Sequence, residues 1–398
     1  MSIRLENVRV RGEITSLYVD DGRLTAEQPC AESVDMGGRV VVPGFVDAHC
    51  HLDKTLWSGP WVPNTSGPGL RARIDYTRAG RAAWGVPSVP RIADLLATMA
   101  ASGTTHVRTH TDVSPEFGLD GFEAVAAAAA MVGLVSVEQV AFPQYGLLSN
   151  PGTLALMDAA LGSGLAQLAG GIDPAGIDGD PEAHLDAVFG LAATHDVPVD
   201  IHLHDGGFLG RSQLRLIAEA TQRHGWHGRV TISHGFALAE AASSEQHELV
   251  RLLADADIAL TTCAAHDDPV APVRALRAAG VRVGLGSDGI RDLWSPWGNG
   301  DLLDRAHQLA YRSSFHSDPE IALALDLATS GGASVLRLPE RRLAAGEPAD
   351  LVVLDGLCEA EAVVTRARRH LVLRHGAPVA GAARVPASDG HPSPTAHQ

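Results

Sequence analysis

VVPGFVDAHCHLDK, residues 41–54, starts as an apolar run and ends in polar side chains that a fully buried strand does not ordinarily carry. Side chains alternate along an extended strand, so His49 and His51 face one side and Cys50 faces the other, where it suits a small core residue. The same rhythm recurs downstream. Short apolar segments at 105–113 (THVRTHTDV), 134–142 (LVSVEQVAF), 166–173 (AQLAGGID), 197–205 (VPVDIHLHD), 230–235 (VTISHG), 258–263 (IALTTC) and 281–288 (VRVGLGSD) alternate with Ala/Leu-rich stretches carrying an apolar stripe at helical spacing. Counting the first, eight strands alternate with helices. That pattern predicts an α/β fold of the (β/α)8 TIM-barrel type over residues 44–337.

In such a barrel the C-terminal strand ends share one pocket, so the residue closing each strand matters most. The first strand ends in His49 and His51, the fifth in His202 and His204, the sixth in His234 and the eighth in Asp288. Imidazoles and a carboxylate are the donors that a borderline divalent ion such as zinc or iron(II) takes, with one position left for water. One such ion is expected. His106, His110 and His266 read as packed polar residues, and Asp53 and Asp112 as braces for neighbouring loops.

The two ends of the chain break the rhythm. Residues 1–43 and 338–386 read as short strands that together predict a small flanking β-sandwich, and 387–398 (ASDGHPSPTAHQ) reads as a disordered tail. The 47 acidic side chains outnumber the 31 basic ones, for a net charge of −16, and no basic cluster exceeds ARRH at 367–370. No nucleic acid or anionic membrane is expected as a partner. Cys30, Cys50, Cys263 and Cys358 form no CxxC pair and read as free thiols of a reducing compartment, so the expected location is cytoplasmic. Neither a signal-peptide core nor a membrane span is expected. Of the 31 basic residues only Lys54 is a lysine. Where arginine serves everywhere else, a retained lysine points to a slot that takes a compact ammonium and not a planar guanidinium. The expectation is a place at the pocket mouth, donating to a substrate carbonyl or ring nitrogen. The Gly- and Pro-rich segment that follows Lys54 is a candidate lid.

Taken in order, VVPGFVDAHCHLDK, VDIHLHD, VTISHG, GLGSDG and GEPADLVVLDG resemble the amidohydrolase superfamily, and HVRTHTDV and AFPQYG resemble its cytosine deaminase-like branch. The resemblance implies a mononuclear metal held by His49, His51, His202 and Asp288, with His234 beside the metal-bound water. Cytosine deaminases carry H-x-x-E on the fifth strand, whereas this chain has His202-Leu203-His204-Asp205. That H-x-H, the HLDK run and Trp294, six residues after Asp288, are similar to triazine-processing members of the branch. The implied activity is removal of ammonia or an alkylamine from a small nitrogen heterocycle, pyrimidine-like or triazine-like, by hydroxide generated on the metal. In that scheme Asp288 takes a proton from water, His234 stabilises the tetrahedral centre, and His204 protonates the departing nitrogen, with Asp205 as the competing candidate. Gln144 and Trp294 are the expected contacts of the ring. The expected partners are a heterocyclic small molecule and further copies of this chain in a homo-oligomer. Two alternatives stay open: a cyclic amide hydrolase, which commonly needs a lysine on the fourth strand, and a non-catalytic metal-binding scaffold.

Overall fold

The run at residues 40–51 is two strands, divided at Gly44. Val40–Pro43 pairs antiparallel with Leu351–Leu354, while Phe45–His51 pairs parallel with Thr104–Asp112. The computed structural model describes residues 2–67 and 69–379, so the expected tail at 387–398 lies outside the described residues. Two compact units result, one comprising residues 1–44 and those from 341 onward, the other Phe45–Glu340.

In the terminal unit, Ile3–Val10 pairs antiparallel with Glu13–Asp20 and parallel with Glu32–Asp35, and reaches Val40 by one further bridge. Because this strand is bonded along both edges, the expected sandwich is, in its pairings, one continuous mixed sheet. Leu5, Val8, Val19, Val353 and Leu371 gather into its core.

The larger unit is an α/β fold around a curled parallel sheet whose strand order follows the sequence. After Phe45–His51 and Thr104–Asp112 come Ser136–Phe142, Leu168–Ile172, Val199–Leu203, Val230–His234 and Ile258–Thr262. The fourth to seventh of these strands are buried at every position, as strands covered by helices on one face and packed against each other on the other must be. Helices return the chain between them. Pro181–His195, for example, begins with the Asp180 side chain accepting the Ala183 N–H and a proline in its first turn, and ends at Asp196 in the left-handed region.

The eighth strand is interrupted. Val283–Leu285 pairs with the seventh strand, and Asp288–Gly289 pairs with the first, at Cys50 and His51. Between them Gly286 lies against the first strand so closely that an added Cβ would sit 2.5 Å from the His49 carbonyl oxygen and 2.6 Å from its Cβ. Only glycine fits. The break turns the backbone into the left-handed region at Asp288, φ 60°, which a short polar side chain tolerates.

The stretch after Lys54 includes the helix Leu70–Gly80. Arg81, at its end, is buried and holds Asp53 at 3.1 Å and Asp112 at 2.9 Å, with its guanidinium 4.6 Å from the centre of the Phe117 ring. Among the described residues no helix is long and apolar enough to cross a membrane.

Gly286→Ala would force the first and eighth strands apart where they touch. The expected loss of stability is about 1–3 kcal/mol, measured by urea unfolding. Wild-type stability would show that the seam can relax.

Candidate active site

Five of the expected strand-end residues converge. Donor atoms of His49, His51 and Asp288 lie within 4.8 Å of one another, as do those of His49, His202 and His234. Asp288 Oδ1 is 3.3 Å from His51 Nε2 and 3.7 Å from His49 Nε2. Like Asp288, His234 has a left-handed backbone, φ 70°. Both strand ends turn sharply to place a side chain over the same point.

Hydrogen bonding settles which nitrogen of each first-strand histidine is bare. Ser233 Oγ donates to Asp200 at 2.7 Å, so its one proton is engaged, and it accepts from Thr261 Oγ1 and from His49 Nδ1, both at 2.9 Å. His49 therefore carries its proton on Nδ1 and presents an Nε2 lone pair. His51 Nδ1 faces the His110 carbonyl at 3.0 Å, which can only accept, with the same consequence. Asp200 in turn holds Arg108 at 3.0 Å. Within the described residues His49 Nε2, His234 Nε2 and both nitrogens of His202 are buried without a hydrogen-bond partner. Burial first, and then neighbouring histidines, push His202 and His234 well below the ordinary histidine pKa, so both rings remain neutral. Such orphaned nitrogens around a carboxylate are what a divalent cation completes, and the cluster fits a divalent-metal site.

His204 stands apart from this set. Its Nδ1 is 2.7 Å from Asp173 Oδ2, and its ring stacks on His234 with centroids 4.6 Å apart. Burial alone would lower its pKa, but the Asp173 carboxylate carries it above the ordinary value. Asp205, the competing candidate, is turned elsewhere. Its carboxylate accepts from the Gly176 N–H at 2.9 Å and from Gln213 Nε2 at 2.8 Å, and it braces that loop instead of lining the cavity.

The cavity over the cluster measures about 410 Å³ and is walled by Lys54, Gln144, Asp292 and Trp294 on one side. Lys54 corrects the expectation drawn from sequence. It is not at the mouth but 1% exposed, donating to Asp112 at 2.6 Å and to Gln144 Oε1 at 2.5 Å. An ammonium has no acceptor, so the Gln144 oxygen must face it. The Gln144 amide nitrogen is left buried on the cavity wall, without a hydrogen-bond partner among the described residues. Asp112 also accepts from Arg81 and from Tyr145 Oη, so it and Asp53 brace the wall.

Several residues here escaped the sequence reading. Asp173 ends the fourth strand and could have been found by the strand-end rule itself. His266 lines the cavity, and His110 is wedged between His49 and His202, at 4.2 and 4.5 Å between ring centres, with both nitrogens unpartnered among the described residues. His110 is thus the packed polar residue expected, whereas His266 reaches the cavity. Asp292 directs one oxygen to the Trp294 and Ser295 N–H groups and leaves the other buried, and burial pushes its pKa up to about 7.

The amidohydrolase family model matches residues 32–136 and 88–380. The chain is 33% identical over 359 residues to N-isopropylammelide isopropyl amidohydrolase of Pseudomonas sp. strain ADP, covering 87% of each chain. It superposes on the crystal structure of N-isopropylammelide isopropylaminohydrolase from Burkholderia multivorans with a TM-score of 0.90 and 37% identity, covering 95% of this chain and 98% of that one. On 5-methylcytosine deaminase from Klebsiella pneumoniae the values are 0.82 and 27%, with 94% and 97% covered. The chain belongs to the amidohydrolase family and is a hydrolase of carbon–nitrogen bonds other than peptide bonds.

Proposed function

We propose that this protein is an aminohydrolase using one divalent ion, zinc or iron(II), to remove ammonia or an alkylamine from a small oxo-bearing nitrogen heterocycle of pyrimidine or triazine type. The observation that carries the reading is the ring of imidazole nitrogens, unpartnered among the described residues, gathered around Asp288, with the Asp173-backed His204 beside it. His49, His51, His202 and Asp288 are the proposed ligands. The two segments of the eighth strand bond to the seventh and to the first, which supports reading the curled sheet as a closed (β/α)8 barrel. The relatives named above support the substrate class.

A bound ion supplies Lewis acidity, lowering the pKa of a water molecule so that hydroxide is available near neutral pH. The side chains do the rest. Asp288 accepts the proton of the attacking water, and His234 Nε2 hydrogen-bonds the oxygen that becomes negative as it adds to the ring carbon. His204, held by Asp173 through Nδ1, delivers a proton from Nε2 to the exocyclic nitrogen. The carbon–nitrogen bond breaks, the amine leaves, and the ring carbon keeps the new oxygen as an oxo group. Gln144, its oxygen pinned by Lys54, offers only N–H donors, which suits a ring carbonyl or ring nitrogen acceptor, and Trp294 supplies a flat wall. The cyclic amide hydrolase alternative is disfavoured. The fourth strand, LAGGI, has no lysine to bridge two metals, and Lys54 is tied to Asp112 and Gln144.

Turnover of aminopyrimidines, aminotriazines and their N-alkyl forms, measured by amine release, tests the activity. No release from any of them by metal-loaded protein would contradict it. Elemental analysis should find close to one zinc or iron per chain, and His202→Ala should lose it. Ser233→Ala should keep the fold but bind that metal about 10–100-fold more weakly, because His49 loses the acceptor that fixes its tautomer. Unchanged affinity would remove Ser233 from the argument.

The proton carrier is separable by paired variants. His204→Asn should abolish most turnover with metal retained, while Asp205→Asn should act mainly on loop stability. The reverse pattern would reassign the role. Gln144→Glu keeps an acceptor for Lys54 but removes the amide donors, so stability should hold while kcat/KM on an oxo-heterocycle falls by about tenfold or more, or ~1.4 kcal/mol. Equal kinetics would show that the ring does not bind there.

A further inference from the structure

Cys263 follows directly on the seventh strand and has no part in the reaction proposed above. Its thiol is 3% exposed, and its sulfur, a His234 ring nitrogen and an Asp288 oxygen all lie within 4.8 Å of one another. The three residues sit at the C-terminal ends of the sixth, seventh and eighth strands, and His234 Nε2 is buried without a hydrogen-bond partner among the described residues. Asp288 directs Oδ1 toward His49 and His51, and a carboxylate has two oxygens with which to reach two cations. We propose that His234, Cys263 and Asp288 form a second cation site, selective for thiophilic divalent ions such as cadmium or excess zinc, adjoining the first and sharing Asp288 with it.

The donor set has a definite preference. Sulfur, imidazole nitrogen and carboxylate oxygen in a buried corner suit a four-coordinate soft or borderline ion completed by one water, and do not suit magnesium or calcium, which take oxygen ligands. On binding, the Cys263 S–H bond breaks, its proton leaves to solvent, and a sulfur–metal bond forms. Nothing is oxidised or reduced. The Cys263 thiolate supplies one negative charge of its own, and the charge of Asp288 is shared between the two ions. Occupation also ties up His234, which is then unavailable to the reacting oxygen, so the site is inhibitory. The inhibition rests on the aminohydrolase reading, whereas the binding does not.

The test uses the full chain loaded with one equivalent of zinc and titrated with cadmium chloride. Expected is one cadmium per chain beyond the zinc, an ultraviolet thiolate-to-cadmium absorbance rising in step with it, and loss of turnover in the same proportion. Cys263→Ser should retain the zinc and lose both the extra cadmium and the absorbance, and Cys263→Ala serves equally if the serine variant folds poorly. Cys50→Ser, which alters the buried thiol of the first strand, should keep both. The proposal is overturned if the absorbance survives in the Cys263 variants, or if cadmium only replaces zinc and the total stays at one. Stoichiometry and absorbance need no substrate, so failure of the activity screen would leave this result interpretable.

Discussion

A serine hydroxyl has one proton, and the candidate metal centre is organised around where Ser233 sends it. Asp200 accepts it, and the Ser233 oxygen is then an acceptor for both Thr261 and His49. Residues from the first, fifth, sixth and seventh strands are joined in this one buried network, with Arg108 from the second strand holding the far oxygen of Asp200. A network of this kind rigidifies only when every member is satisfied, because a buried charge or hydroxyl without its partner costs more than the bond returns. Here the satisfied members lie beneath the cluster, and the unsatisfied atoms are the imidazole nitrogens above it. The contrast between the two is what makes the cluster read as a ligand set and not as a polar core.

The wall of the cavity follows the same logic with formal charges. Asp112 accepts from Lys54, Arg81 and Tyr145, and Arg81 also holds Asp53. Two cations and two carboxylates are thus buried together, each with an opposite charge in contact, although Arg81 Nε and Nη2 and Asp53 Oδ1 have no hydrogen-bond partner among the described residues. The segment carrying the Leu70–Gly80 helix is anchored through Arg81 to Asp53 and to Asp112, the carboxylate that also holds Lys54. Lys54 then fixes the polarity of Gln144. Its lone status among thirty arginines is explained by this place: a compact ammonium reaches Asp112 and Gln144 from one point, whereas a guanidinium would present a broad planar fork to the same two acceptors.

Much of the site could be read from the order of residues along the chain. His49 and His51, His202 and His204, His234 and Asp288 were identifiable because a strand's side chains alternate with a period of two and barrel strands end at a common face. The same alternation favoured His204 over Asp205, and the structure places His204 on the cavity and Asp205 against Gly176 and Gln213. Lys54 was conspicuous by composition but misplaced. Its partners lie 58 and 90 residues along the chain, and no local pattern announces them. Ser233, Asp200 and Cys263 were passed over for a related reason, since each is an ordinary small or polar strand residue until its neighbours are known.

The sequence by itself determined the strand–helix alternation, the donor types at the strand ends and the family they resemble, because backbone periodicity is a local property written in consecutive residues. Tertiary structure alone decided that VVPGFVDAHCH divides at Gly44 and that the eighth strand breaks at Gly286 against His49. It also decided on which nitrogen each histidine of the first strand carries its proton, and which way the Gln144 amide faces. Those outcomes are set by contacts through space between distant segments, where packing leaves room for one atom and one proton, and no spacing along the chain encodes them.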